Sequence, residues 1–449
     1  MRKLTLLPVI LVALLLGFNS CKKDTVDVTE LLTTVPSSAG GVVVLNLEGI
    51  LEDAGCKIKN HAITPSKELM ELINSKATST DKQDFMFLLE GGSGIEPKGA
   101  VIFYDANRTY VTCALYDVDK FIKFVEEKNG GSFTDEGSGV KVNGQVAVKG
   151  SQAWVSLNNR RNIDPGAIAN YASLSPSQSF LVTPNGEKLL TEEDDIRGWA
   201  MINTFVNEIL NRSERSMFTL GLGFLFEDAE SVRFKMDFKN GEMEAEALVL
   251  NDKGKPAKYL LPSDKVDVNT LKTLGENCDA MMALTVNPKL IKKFDQVLSA
   301  FGGSLFGNLN DMFKNVDGTV GFASGVNSND AVNGVITTKG DVSKDLKDLI
   351  TNQIAPVSQD GKYLRFSKGN VDGHLKISEA ADELKGCCLG IITDASGLNN
   401  VGYSEAAPTG MQTIVFKFNP ESGGIEMELE IKTSNPKENA LLTLIKNTK

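Results

Sequence analysis

The cysteine at position 21 closes the stretch GFNSC, where an apolar run gives way to Lys22, Lys23 and Asp24. A thiol on that boundary is either a bystander to ordinary signal cleavage or the site of lipoprotein processing. In the second case it takes up a diacylglyceryl group and becomes the first residue of the mature protein. The residues ahead of it fit that role. Arg2 and Lys3 supply a positive start, and Leu4 to Leu16 are apolar apart from Thr5 and Pro8. The run falls short of the roughly 20 apolar residues of a membrane-spanning helix, so it reads as a signal peptide. Ordinary cleavage wants small residues one and three positions before the cut. Ser20 meets that requirement and Phe18 does not. FNSC is a loose lipobox that keeps the small residue beside the cysteine. We therefore expect a lipoprotein signal over 1–20, lipidation at Cys21, and a polar, flexible tether over 21–28. Each buried methylene contributes about 0.8 kcal/mol, so two or more acyl chains hold firmly where one binds reversibly.

Other residues that might do chemistry are sparse. The chain has two histidines, His61 and His374, and neither lies in HExxH or near a Gly-x-Ser-x-Gly elbow. TEEDD (191–195) is the densest acidic cluster, but it lacks the D-x-D-x-D-G order that bends ligands around calcium. Those acids stand ahead of IRGWAMINTFVNEIL, where a helix dipole would favour them without any metal. The glycine-rich LEGGSGIEPKG and FGGSLFGN lack the Lys-Ser/Thr ending of a phosphate loop and read as connections. Cys56, Cys113, Cys278, Cys387 and Cys388 are too few for a disulfide scaffold in so long a chain, and no zinc spacing occurs. We expect no enzymatic activity, no cofactor and no metal site. Two stretches, MFTLGLGFLF (217–226) and AFGGSLFGNLNDMF (300–313), are apolar enough to read as buried core.

Composition sets the outer bounds. At 449 residues the chain exceeds what a single core usually serves, so more than one structural unit is expected. The formal charge of −11 includes two positive charges that leave with the signal. A chain so acidic opposes binding to nucleic acid.

The elements that would position any site come in a repeated order. VPSSAGGVVVLNLEGIL (35–51) matches LGENCDAMMALTVNPKLI (274–291), each with an apolar strand, an asparagine (Asn46, Asn287) and a helical pattern. Residues 99–125 echo 318–350 as two strands followed by D-V-x-K, which pairs Asp117 with Asp341 and Lys120 with Lys344. SVRFKMDFKNGEMEAEALVL echoes TIVFKFNPESGGIEMELEI, hairpins whose second strands alternate acidic with apolar residues. That alternation predicts one wet and one packed face, as in antiparallel sheets. Helical spacing marks SKELMELINS, DVDKFIKFVEE, MINTFVNEILNR, PKLIKKFDQVLSAF and VSKDLKDLITNQI. The expected fold is α+β, with two tandem related units, each an antiparallel sheet with helices on one face, elongated overall. The first unit spans 29–262 with an insertion at about 151–215, and the second spans 263–449.

The lipoprotein signal, the tether ending in VPSSAGGVVVLNL, the GIEPKG strand and D-V-D-K before a helix together resemble a family of envelope lipoproteins. It is the family built on domain of unknown function 4836 in Bacteroidota. That resemblance implies a lipoprotein of the outer membrane in a Gram-negative cell and supplies no catalytic residues. In such organisms Asp24-Thr25-Val26 looks like an O-glycosylation sequon, with Thr25 as acceptor. Lys22, Lys23 and Asp24 fit either the periplasmic or the cell-surface face. The expected function is a membrane-anchored, non-enzymatic protein, held by its lipid on Cys21, that binds an envelope protein partner or acts as a structural subunit. The alternative is a glycan, lipid or small-ligand binding module with its site at the cleft between units; a carboxylate-based hydrolase stands third.

Overall fold

A computed structural model describes residues 28–76, 89, 91–157, 162–204, 225–259, 264–292, 295, 309–325, 331–395, 410–421 and 424–448. The fold is α+β, and its main sheet is antiparallel throughout. In the first half the strands are β1 (Gly41–Leu45), β2 (Ile95–Asp105), β3 (Arg108–Leu115), β4 (Val146–Lys149) and β5 (Gln152–Ser156). They are followed by β6 (Ile196–Met201), β7 (Ser231–Lys239) and β8 (Glu242–Leu250). The second half contributes β9 (Ala280–Val286), β10 (Val316–Ser324), β11 (Val332–Thr338) and β12 (Val357–Asp360). Its remaining strands are β13 (Tyr363–Lys368), β14 (Leu389–Asp394), β15 (Met411–Glu421) and β16 (Gly424–Thr433).

β8 pairs with β16, and the sheet runs through that junction without a break. Outward from it the first half runs β8, β7, β6, β1, β2, β3, β5, β4. The second runs β16, β15, β14, β9, β10, β11, β13, β12, the same order strand for strand. Two short strands, Thr134–Asp135 and Lys141–Asn143, extend the first half beyond β4.

The helices are α1 (Thr29–Thr33), α2 (Leu47–Asp53), α3 (Lys67–Lys76), α4 (Val118–Asn129), α5 (Pro165–Tyr171) and α6 (Pro184–Thr191). Then come α7 (Val268–Leu271), α8 (Leu309–Met312), α9 (Lys344–Gln353), α10 (Ile377–Glu383) and α11 (Ala440–Asn447). They cover both faces of the sheet, a correction to the expectation of helices on one face. On the first face α1, α5 and α6 pack over Val42, Val44 and Phe103, while α7 and α10 pack over Met281, Ala283 and Val335. On the second face α2, α3, α4 and α11 cover the first half, and α8 and α9 the second. The physical reason lies in which strands carry the alternation. β8 and β16 alternate acid and apolar residues, but they are the junction strands. β1, GVVVL, is apolar at every position and buries both of its sides.

Local chemistry fixes the helix starts. Asp117 accepts from the Lys120 amide at 3.0 Å and opens α4, which Gly130 closes in the left-handed conformation at φ 72°. The sequence frame pairs Asp117 with Asp341, but Ser343 is the residue that caps α9, accepting from the Leu346 amide at 3.2 Å. Asn46 and Asn287 do play the same part, accepting from the amides of Gly49 and Leu290 respectively, each at 3.0 Å.

Candidate ligand cavity

Cys21 and Thr25 lie outside the described residues, as do FGGSLFGN and most of MFTLGLGFLF. The described histidines do not converge. His61 Nδ1 is 3.0 Å from Glu96, and its ring stacks on Tyr116 at 4.2 Å in the first half. His374 Nδ1 is 2.8 Å from Asp279 Oδ1 in the second. The hydrogen bond to Asp279 holds the imidazole above its ordinary pKa. Among the described residues the rings meet Glu96, Tyr116 and Asp279, none of them a serine, threonine or cysteine.

TEEDD follows the end of α6 and precedes a strand, so its acids do not stand at a helix N-terminus as the sequence suggested. They sit instead near the negative end of α6, and basic residues offset them. Glu192 lies 3.5 Å from Arg233, and Asp194 lies 4.0 Å from Lys235. Arg197, only 1% exposed, stands amid the field of Asp194, Glu192 and Asp195. Asp195 accepts from the Phe238 amide at 3.1 Å. Among the described residues no group of acids, histidines and cysteines is placed to hold a metal ion.

The five described cysteines are free thiols, and burial pushes all of them up: Cys56 and Cys388 to about 11, Cys113, Cys278 and Cys387 to about 12. Thiols so protonated are poor nucleophiles. LEGGSGIEPKG is structural: Gly94, at φ 73°, lets the chain lie against the Asp117 carbonyl at the start of α4.

At the junction the first face is charged. Lys235, Glu246, Glu428 and Lys417 form one row across β7, β8, β16 and β15. Two glutamates meet at its centre with a lysine on each flank: Lys235 is 2.8 Å from Glu246, and Lys417 is 3.2 Å from Glu428 and 2.6 Å from Glu430. A small space there, beside Glu192, Arg233 and Lys235, has a volume of about 30 Å³. That is room for no more than a few waters.

Among the described residues a roomier space lies inside the second half, between the second face of the sheet and α9. Its volume is about 540 Å³. Leu284 and Val286 of β9, Val320 and Phe322 of β10, Ile336 of β11 and Phe366 of β13 form the floor. Leu346, Leu349 and Ile350 of α9 form the roof, and Met312 and Phe313 close one side. Phe366 lies across Gly334, its partner on β11, where a Cβ would overlap its ring. The one polar side chain of the lining is Gln353, the last residue of α9. Gln353 and its neighbour Ile354 are also the exposed residues of the lining, and the surface that faces the space is apolar throughout. Such a volume is in the range of ligand pockets, roughly 300–1,000 Å³. Water gains nothing there, because it needs polar partners that these walls lack.

Sequence reasoning missed this cavity. The α9 pattern, KDLKDLITNQ, places leucine and isoleucine on one face whether that face meets a filled core or an open space. Comparison with known proteins adds no family: no family's sequence profile matches the chain, and no curated protein matches it. Among solved structures the chain is similar to crystal form III of TP0453, at 9% identity and a TM-score of 0.31, over 78% of this chain and 96% of that one. It is likewise similar to crystal form I (8%, TM-score 0.29, 81% and 97%) and form IV (9%, TM-score 0.30, 80% and 96%).

Proposed function

We propose that this protein is a lipid-anchored, non-enzymatic binding protein of the cell envelope, tethered through Cys21, whose second half takes the apolar part of a small molecule. The observation that carries this reading is the cavity, about 540 Å³ and lined by apolar surface alone. Burying a ligand's hydrocarbon there gains about 25 cal/mol for each Å² removed from water. The chain in this reading arose from two copies of one unit, which the matching strand orders support.

Uptake of an apolar fluorophore by the purified protein tests the cavity. Val320→Phe and Leu349→Trp, which fill it from floor and roof, should each abolish uptake without loss of helix and strand signal in circular dichroism. Uptake unchanged by both variants would sink the reading. The anchor has its own test. Cys21→Ser should stop incorporation of labelled fatty acid and move the protein from the carbonate-washed membrane pellet to the supernatant. Among the described residues no helix is long and apolar enough to cross a membrane.

A second reading rests on Met282 and Ile391, cross-strand neighbours each 39% exposed on the second face. There the second half would seat a protein partner. Ile391→Glu should then release a partner that co-purifies with the wild type from gently solubilised membranes.

A further inference from the structure

Gly334 is buried on β11 between two phenylalanines of the same face, Phe322 of β10 and Phe366 of β13. It is not among the glycines with positive φ, so the backbone does not call for glycine there. The ring beside it does. Side chains on a strand stand roughly perpendicular to the sheet. Phe366 instead leans across its neighbour: a Cβ at position 334 would come within 1.9 Å of its Cζ, and within 2.2 and 2.5 Å of its two Cε atoms. Strands two apart are roughly 10 Å from each other. Across the glycine the rings of Phe322 and Phe366 nevertheless approach to 5.7 Å between centroids. Both phenylalanines line the cavity, and Phe366 is 3% exposed.

From this geometry, and resting on the binding function proposed above, we infer that Gly334 and Phe366 together set how long a hydrocarbon chain the protein accepts. Gly334 gives the ring a place to lie, and the leaning ring leaves the space beneath α9 open. With a larger residue at 334 the far end of the ring has to yield, because that is what a Cβ would strike. The sheet lies below the ring and Phe322 lies across from it, so the ring swings up into the cavity that it now lines. A cavity of about 150 Å³ holds a whole benzene molecule, so an upright phenyl ring would take on the order of a quarter of the 540 Å³. Gly334 does not itself line the space. It is a positioning residue that acts through Phe366, and Phe366 is the contact.

The test uses the full chain carrying Cys21→Ser, prepared without detergent, and displacement of a bound apolar fluorophore by normal alcohols from hexanol to hexadecanol. The hydroxyl is common to the series, so the trend reports the tail alone. In this parent chain affinity should climb roughly four-fold per methylene up to a limiting length and then level off. Gly334→Ala should move that limit shorter by several carbons, weakening the longest alcohols roughly ten-fold or more while hexanol changes by less than about two-fold. Adding Phe366→Leu to Gly334→Ala should return the limit to the parent's length or beyond, a reversal that damage to β11 alone would not give. Should Gly334→Ala fail to fold, Phe366→Leu by itself reads the same pair and should shift the limit to longer chains. A limit unmoved by Gly334→Ala, or Phe366→Leu without a shift to longer chains, would overturn the inference and leave the cavity reading standing. A parent chain that takes up no fluorophore would remove both.

Discussion

Asp279 is 1% exposed and accepts from both the backbone amide and the ring of His374, which is itself largely exposed. The imidazolium answers a buried carboxylate, so the histidine's folded pKa lies above its ordinary 6.5. The sign follows from linkage: a raised folded pKa means the native state binds the extra proton more tightly than the unfolded chain does. The pair's stabilisation is therefore fully present below pH 6.5 and is lost as pH rises through the higher folded value. Melting temperatures of the wild type and His374→Gln should differ most in mild acid and converge toward alkaline pH. A constant difference would mean that the ring contributes by packing alone. None of this was legible in the sequence, where Asp279 and His374 stand 95 positions apart.

Two glycines show how far an element's own pattern carries. Gly130 ends α4 in the left-handed region, and a methyl group added there meets nothing within 4 Å. Gly94 is left-handed too, but its neighbours at the start of α4 leave no room for a Cβ: the Asp117 carbonyl and the Phe121 amide occupy it. Its own carbonyl accepts from the amides of Tyr116 and Asp117 at 3.0 and 3.2 Å. Gly130→Ala should cost about 1 kcal/mol of stability, the strain of the backbone alone. Gly94→Ala adds a backbone clash and should cost about 1–3 kcal/mol beyond that, measured by denaturant unfolding. Gly130 follows an evident amphipathic stripe, so its role is readable in advance. Gly94 is one glycine of several in a loop until α4 is packed against it.

The two halves are joined by more than one strand pair. On the second face a single cross-strand row runs from Val148 through Cys113, Leu45, Met236, Leu429, Ile391 and Phe322 to Phe366. Every position along it is apolar or glycine. The chain leaving each junction strand then crosses to the other half. Ala257, after β8, packs with Leu290, Cys388 and Phe418. α11, after β16, sets Leu441 and Ile445 against Leu45, Ile50 and Leu51. Asn439 secures that crossing by donating to the Phe238 carbonyl at 3.3 Å. The last helix of the chain thus completes the core of the first half. Leu441→Ala should cost about 2–5 kcal/mol, the usual toll for truncating a buried leucine. Hydrogen exchange should place the loosening in β1 and α2 as well as in α11. Loosening confined to the second half would contradict the crossing.

Much of the element content, and its repetition in the same order along the chain, was present in local patterns. α3, α4, α9 and the β7–β8 and β15–β16 hairpins follow from periodicity and capping residues, because those signals act between residues a few positions apart. The acidic alternation of EMEAEA and IEMELEI was legible as well, and so was the alignment of Lys235 with Lys417 and of Glu246 with Glu428. That these four would meet in one row was not, since the edge on which two sheets join is set by long-range pairing. Helices on both faces, the basic residues that offset TEEDD, the crossing of α11 and the cavity beneath α9 belong to the same class. A stripe of leucines states that a face will be buried. Only the packing of α9 over β9, β10, β11 and β13 decided how much space that burial left, because volume is a property of opposing surfaces and not of either sequence alone.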